Sequence, residues 1–148
     1  MIKYPVFEES CACKVSLDYL GDKWILLIIR DLFRLRYTFS EFLHKNTEER
    51  IASNVLSDRL KKLIELDIIN YKLNSKNKKI KEYYLTDTGI DLYDVIFELQ
   101  NWALKNVDFK YSKNTTNWEK EIGENKKEII IQKKKKEYKI FRKKKFNF

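Results

Sequence analysis

The chain has 148 residues, 43% of them hydrophobic, with a formal net charge of +9 and only three glycines and one proline. That is enough apolar material for one domain with an appendage, and so few breakers in a chain rich in Leu, Ile, Lys and Glu predict mainly helix. A lone His44 and the pair Cys11-Ala12-Cys13 build no zinc cage, nucleophilic triad or disulfide framework, and neither a run of about 18 apolar residues nor a secretory leader is read, so enzyme and membrane classes give way to a soluble cytoplasmic protein without cofactor or metal.

The positive charge is concentrated late in the chain. Residues 107–148 hold 14 Lys/Arg and six Asp/Glu, whereas residues 1–106 hold 17 and 16. A near-neutral body binds nucleic acid only where its positive groups cluster, so placement matters more than the total. A genome biased toward lysine codons would enrich the tail in lysine without any partner.

Residues 1–9 read as an irregular arm. Ser10 can cap a first helix that runs to about Leu20 and ends at Gly21. Asp22 can cap the next, in which Trp24-Ile25-Leu26-Leu27-Ile28-Ile29, continued by Leu32 and Phe33, is apolar on every side and predicts a helix buried all round. After the basic turn Arg34-Leu35-Arg36-Tyr37, Thr38 or Phe39 opens a short helix with Phe39, Phe42 and Leu43 inward. A polar connector, Asn46 to Arg50, follows. Ser53 to Asp67 then predicts an amphipathic helix with Ser53 as its N-cap. Leu56, Leu60, Leu63 and Asp67 recur at i, i+4, i+7 and i+11, so the leucines form one stripe. Asn54, Asp58, Lys61 and Glu65, flanked by Ser57 and Lys62, line the other side with groups that a base edge can use. An ordinary surface helix would show the same stripe, so its neighbours decide.

Those neighbours are a hairpin and a long helix. Ile69, Tyr71 and Leu73 alternate with Asn70, Lys72 and Asn74; after the basic turn Ser75-Lys76-Asn77-Lys78-Lys79, Lys81 to Thr86 returns with Tyr83 and Leu85 on one face. A short helix, an amphipathic helix with a polar outer face and a basic-tipped hairpin predict a mainly α fold with a small β-hairpin wing, a winged helix-turn-helix. Thr86 can cap a last regular helix, Asp87 to about Asn106. Leu92, Val95, Ile96, Leu99 and Trp102 share one side of it, and Ile90, Tyr93, Phe97 and Leu104 widen the apolar arc beyond what a small domain covers. This predicts dimerisation through the terminal helix, packing against the tail being the alternative. Residues 107–117 read as a linker. Residues 118–148, with Lys133 to Lys136 and Arg142 to Lys145, read as partly helical or disordered, a solvated segment ahead of a dedicated DNA-binding arm. The expected division is therefore 1–106, a DNA-binding and dimerisation domain, and 107–148, a basic tail with little core of its own.

In order and spacing, several motifs together resemble the HxlR-type regulators, a MarR-like branch of the winged-helix family. They are Cys11 with Leu17-Asp18, Gly21-Asp22-Lys23-Trp24, Leu26-Leu27-Ile28 with Arg30-Asp31-Leu32, Phe39-Ser40-Glu41-Phe42, Ile51-Ala52-Ser53-Asn54-Val55-Leu56-Ser57-Asp58-Arg59-Leu60, and Tyr83 with Leu85-Thr86 and Gly89. The resemblance runs from Cys11 to about Trp102. Two departures fall at turns: Arg50 stands where the family often has glycine, and Arg34 to Tyr37 replaces a turn that commonly carries one. The resemblance implies a homodimer whose two recognition helices enter successive major grooves of a pseudo-palindromic operator, with wings beside them. It also implies that Cys11 matches a position some members use to sense oxidants or electrophiles; a structural, half-buried thiol is the competing role. Cys13 is extra and would modulate it.

The expected function is a homodimeric, sequence-specific, DNA-binding transcriptional regulator, with a redox or electrophile response through Cys11 left open by the resemblance against the structural-thiol role. Asn54, Ser57, Asp58 and Lys61 are expected at base edges and Ser53 at the helix start near a phosphate. Lys62, Lys76, Lys78 and Lys79 are expected at phosphates or in a minor groove, with Arg36 adding charge beside them and Arg59 reaching a phosphate or bracing the fold. The partners are double-stranded DNA and a second copy, with no membrane; the effector is not specified. The alternative is a winged-helix protein-interaction module whose basic tail contacts an acidic partner, kept open by Asp58 and Glu65 on the outward face.

Overall fold

A computed structural model describes residues 1–5, 9–45 and 49–148. The expected arm over 1–9 and the connector Asn46 to Arg50 each lie partly outside the described residues. The elements are α1 (Ala12–Leu20), α2 (Lys23–Phe33), α3 (Phe39–Lys45), α4 (Ser53–Glu65), β1 (Ile69–Leu73), β2 (Lys81–Leu85), α5 (Asp87–Asp91), α6 (Tyr93–Asn106), α7 (Lys113–Glu124) and α8 (Lys127–Phe146). The chain divides into two compact units, Met1–Gly89 and Ile90–Phe148.

In the first unit α2 is the strut. Asp22 caps it, its carboxylate accepting from Trp24 N at 2.7 Å, and Ile25, Ile28, Ile29, Leu32 and Phe33 are buried. Trp24, Leu26 and Leu27 are half-buried, so one side of the helix is less covered than its composition predicts. Asp31 is fully buried, which requires charged partners. Arg30 donates to it at 2.8 and 3.1 Å and Arg36 at 3.2 Å. The start of α3 is a capping box: Glu41 N donates to Thr38 Oγ1 at 3.3 Å, and the Glu41 carboxylate accepts from the Tyr37 and Thr38 amides at 2.7 and 3.0 Å. The first helix opens at Cys11 rather than at Ser10, and α4 at Ala52 rather than Ser53, which becomes its first helical residue.

Helix α4 buries Leu56, Leu60 and Leu63 as the stripe predicts, packing on α2, α3 and β1. It ends before Asp67. Asp67 takes a left-handed φ of 54°, its N–H bonding Ile64 O at 2.9 Å while Ile68 N reaches back to Leu63 O at 3.0 Å. This paired closure satisfies the last carbonyls and brings buried Ile68 over buried Leu63.

Leu35 and Arg50 also adopt left-handed backbone, with φ of 60° and 52°. These are the two turns at which the sequence departs from glycine, so the backbone keeps a conformation that costs an L-residue about 1–2 kcal/mol. Leu35 is 45% exposed, and losing its side chain removes little packing. Leu35→Gly is therefore expected to be neutral or stabilising by up to about 1 kcal/mol, the entropy of glycine offsetting part of the relief. An unchanged or higher urea midpoint checks this; a loss above about 1 kcal/mol contradicts it.

The hairpin pairs β1 with β2 antiparallel in the register Ile69↔Leu85, Tyr71↔Tyr83 and Leu73↔Lys81. On the other side of β2, Thr38 forms a bridge to Glu82, and Tyr83 N donates to Tyr37 O at 2.7 Å. β2 thus has partners along both edges there, and Glu82, Tyr83, Tyr84 and Leu85 are all buried, where alternation predicted one face only. Gly89 closes the unit: a Cβ there would sit 2.2 Å from Ile68 O. The N–H of Gly89 donates to Thr86 Oγ1 at 3.2 Å, so Thr86 does cap the helix that follows.

The single helix expected from Asp87 to Asn106 is two, α5 and α6, interrupted at Leu92. The tail is helical through α7 and α8 rather than a loose appendage. Helix α8 packs on α6 and α7, burying Ile130, Ile131, Tyr138 and Phe146. Trp118 of α7 meets Phe97 edge-on, with ring centroids 5.1 Å apart. Burial, reinforced by the charges of Glu121 and Glu137, pushes the Tyr93 phenol above its usual range, and the contact with Trp118 works against it.

Candidate nucleic-acid interface

The outward face of α4 carries Ser53, Asn54, Ser57, Asp58 and Lys61, all exposed, with Lys62 half-buried beside them. Ala52, at the cap position, offers no side-chain oxygen to the first turn. The amide donors at the start of α4 are thus presented without an internal acceptor from the cap position, the arrangement that suits an oxyanion.

Two expected cationic contacts have other partners. Arg59 donates from Nε and Nη2 to Asp22 at 2.9 and 2.7 Å, and from Nη1 to Asp58 at 2.5 Å. Of the two roles open to it, the bracing one is formed: it ties α4 to the N-terminus of α2. Burial works against the Asp22 carboxylate, but the Arg59 guanidinium and the Trp24 N–H outweigh it and hold its pKa below the usual range. Arg36 is half-buried and pairs with the buried Asp31 at 3.2 Å. Lys61 lies 4.0 Å from Glu65 in an exposed pair of little energetic weight. Both acids that kept a protein-interaction module open, Asp58 and Glu65, are therefore paired with cations of α4 itself.

The wing tip is shaped by two asparagines. Asn74 Oδ1 accepts from the amides of Lys76 and Asn77, both at 2.9 Å, and Asn77 Oδ1 accepts from Lys79 N at 3.1 Å. These side-chain turns fix the loop and leave Lys76, Lys78 and Lys79 exposed. Asn74 Nδ2 also donates to Glu82 at 2.9 Å, anchoring the tip to β2. Asp22 was read from sequence as a cap but not as the partner of Arg59, and the asparagine frame was not singled out; an Asn-x-x-Asn spacing inside a lysine-rich turn was the signal available for the latter.

Cys11 and Cys13 are free and exposed, so Cys11 is not a half-buried structural thiol. The backbone N–H groups of Lys14 and Cys13 stabilise its thiolate and hold the thiol below its usual pKa. Nearby, Lys14 Nζ donates to Asp18 at 2.7 Å and to the Tyr4 hydroxyl at 2.8 Å, pinning the described part of the arm to α1.

On α6, Val95, Leu99 and Trp102 are 39, 49 and 63% exposed and follow one another at i, i+4 and i+7. Ile96 is buried and Leu92 half-buried, so these two members of the expected dimer face are largely covered within the protomer. Of the two alternatives for the helix, packing against the tail is formed, since α8 lies on it, and an apolar stripe remains exposed on another side.

A helix pair whose second member exposes a polar face, followed by a hairpin with a lysine tip, defines a winged helix-turn-helix. The chain belongs to the HxlR-like helix-turn-helix family, whose model matches residues 19–111. It is 34% identical over 88 residues to an uncharacterized HTH-type transcriptional regulator of Mycobacterium tuberculosis, covering 60% of this chain and 54% of that protein. The chain thus spans about half the length of that relative. It is 27% identical over 100 residues to the uncharacterized HTH-type transcriptional regulator YdeP of Bacillus subtilis, covering 68% and 77%. Among solved structures, the reduced form of the transcriptional regulator YodB from B. subtilis matches with a TM-score of 0.54 and 28% identity, covering 68% of this chain and 97% of that one; diamide-treated YodB matches at 0.50 and 28%, covering 69% and 100%. The family is one of transcriptional regulators, not enzymes, and among the described residues no helix is long and apolar enough to cross a membrane.

Proposed function

We propose that the protein is a homodimeric transcriptional regulator that binds a pseudo-palindromic DNA operator, with α4 in the major groove and the wing on the backbone. The observation that carries this is the exposed polar face of α4, held against α2 by the Asp22–Arg59 pair and continuing directly into a wing whose tip presents Lys76, Lys78 and Lys79. Asn54, Ser57 and Lys61 are assigned to base edges, Ser53 and the first-turn amides to a phosphate, and the wing lysines to phosphates or a minor groove. Genome-wide recovery of bound fragments would supply the operator. On it, Asn54→Ala and Lys61→Ala are expected to cost about 1–3 kcal/mol each and relax the preference at one base pair. Lys79→Ala is expected to weaken operator and scrambled duplex alike, lowering the salt slope by about one. Identical behaviour of the two groups would remove α4 from the groove.

A second property is favoured by the exposed, acid-shifted thiol of Cys11. We infer that oxidants or electrophiles modify it and alter operator affinity, an inference supported by the likeness to YodB, which has been solved in reduced and diamide-treated forms. Cys13, two residues on, is poorly placed for an internal bond, so a disulfide between subunits or a mixed disulfide with a small thiol is the expected product. Peroxide or a quinone is expected to change operator binding by wild type and Cys13→Ser but not by Cys11→Ser. Indifference of the wild type, with its thiols shown to be modified, would sink the inference.

A further inference from the structure

Beyond residue 111, where the family match ends, α8 holds ten Lys/Arg and two Glu in 20 residues. One side of this helix is occupied by the fold. Ile130, Ile131, Tyr138 and Phe146 are buried, Lys127 pairs with Glu98, and Lys135 pairs with Asp91 and Asp94. The other side is not. Lys136, Lys139, Lys143 and Lys144 follow one another at i, i+3, i+7 and i+8, all exposed, and none forms an ion pair among the described residues.

Like charges three and four residues apart repel one another and destabilise a helix. The helix dipole accounts for lysines in the last turn, but Lys136 and Lys139 lie well upstream of it. Over about 12 Å of helix the face presents four charges, a density suited to a duplex that carries one phosphate charge per ~1.7 Å of its axis. A bilayer surface would require a broad apolar face between the lysines; the exposed side has Ile129 and Ile140 alone in α8, its other large apolar groups being turned inward.

We propose that this face of α8 is a second, sequence-independent DNA site, at which Lys136, Lys139, Lys143 and Lys144 neutralise backbone phosphates. The proposal rests on the DNA-binding function proposed above and adds to it a contact that strengthens binding without reading sequence.

The test uses the full chain, with these four lysines changed together to Gln, a residue of similar helix propensity, and to Arg as a charge-preserving control. The probe is a scrambled duplex of about 40 base pairs, long enough for every backbone contact. The Gln variant is expected to lower the slope of log affinity against log salt by about 3 to 4 and to bind at least tenfold more weakly at ~50 mM salt, because each phosphate contact contributes about 0.9 to the slope. The Arg variant should match wild type, and circular dichroism should show α8 retained in both. The ratio of operator to scrambled affinity should not move. An unchanged salt slope overturns the proposal, as does unaltered duplex binding with lost binding to vesicles containing about 30% phosphatidylserine. If instead no recovered fragment is preferred over scrambled duplex by the wild type, while the Gln variant still loses slope, it is the operator-reading function that fails and the α8 site that stands.

Discussion

Trp102→Lys is expected to turn the proposed dimer into a monomer. Val95, Leu99 and Trp102 form a stripe that the protomer leaves uncovered, on a helix whose other side is already packed on α8. In a two-fold interface each substitution acts twice. If each copy of the tryptophan contributes about 2 kcal/mol, the usual threshold for an aromatic anchor, the dimer loses about 4 kcal/mol, roughly three orders of magnitude in its dissociation constant. Sedimentation velocity at micromolar protein reads this directly, and Leu99→Lys should behave alike. Operator affinity should fall with it, since one recognition helix then binds alone. A variant that still sediments as a dimer would place the interface on another surface.

Deletion of residues 113–148 is expected to unfold the second unit, although the sequence predicted a basic tail with little core of its own. The buried side chains Ile130, Ile131, Tyr138 and Phe146 each contribute about 1.5–3 kcal/mol, together comparable with the 5–15 kcal/mol that separates a folded domain from its unfolded chain. Removing them also strips Phe97 of Trp118 and leaves Asp94 and Glu98 without their lysines. Helicity should therefore fall by more than the deleted residues account for, with aggregation through the bared side of α6. The first unit has its own core around Ile28, Ile29, Leu56, Leu60 and Leu85 and should keep its near-ultraviolet signal. A truncated chain that melts at the wild-type temperature and sediments normally would restore the tail to an accessory role.

Much of the fold was legible because it is written in local periodicity. The leucine stripe of α4, the caps at Asp22 and Thr86 and the alternation of Ile69 and Tyr71 with Asn70 and Lys72 in β1 all depend on residues within one or two turns of each other, and they appear where the spacing put them, whereas Leu73 at the end of the strand is exposed. The polar face of α4 and the wing lysines were legible for the same reason, since exposure on one side follows from burial on the other. Less legible were the left-handed turns at Leu35 and Arg50, where the sequence lacks the glycine that would announce them.

The sequence by itself determined the class of fold, the helix with the exposed polar face and the basic hairpin that follows it, since a short-range pattern of apolar and polar residues leaves few ways to bury the one and solvate the other. Only the tertiary structure decided the partners of long charged side chains and the coverage of broad apolar helices. Arg36 and Arg59 look like surface cations until Asp31 and Asp22 are brought to them across the fold. Ile96 and Trp102 belong to the same apolar arc of α6, yet one is buried and the other exposed. The lysine-rich tail hides the inward-facing Ile130, Ile131, Tyr138 and Phe146 among charges that dominate its average. A guanidinium can reach several acids and an apolar face can be covered by several elements, so the choice lies in contacts between residues far apart in the chain, which no local spacing encodes.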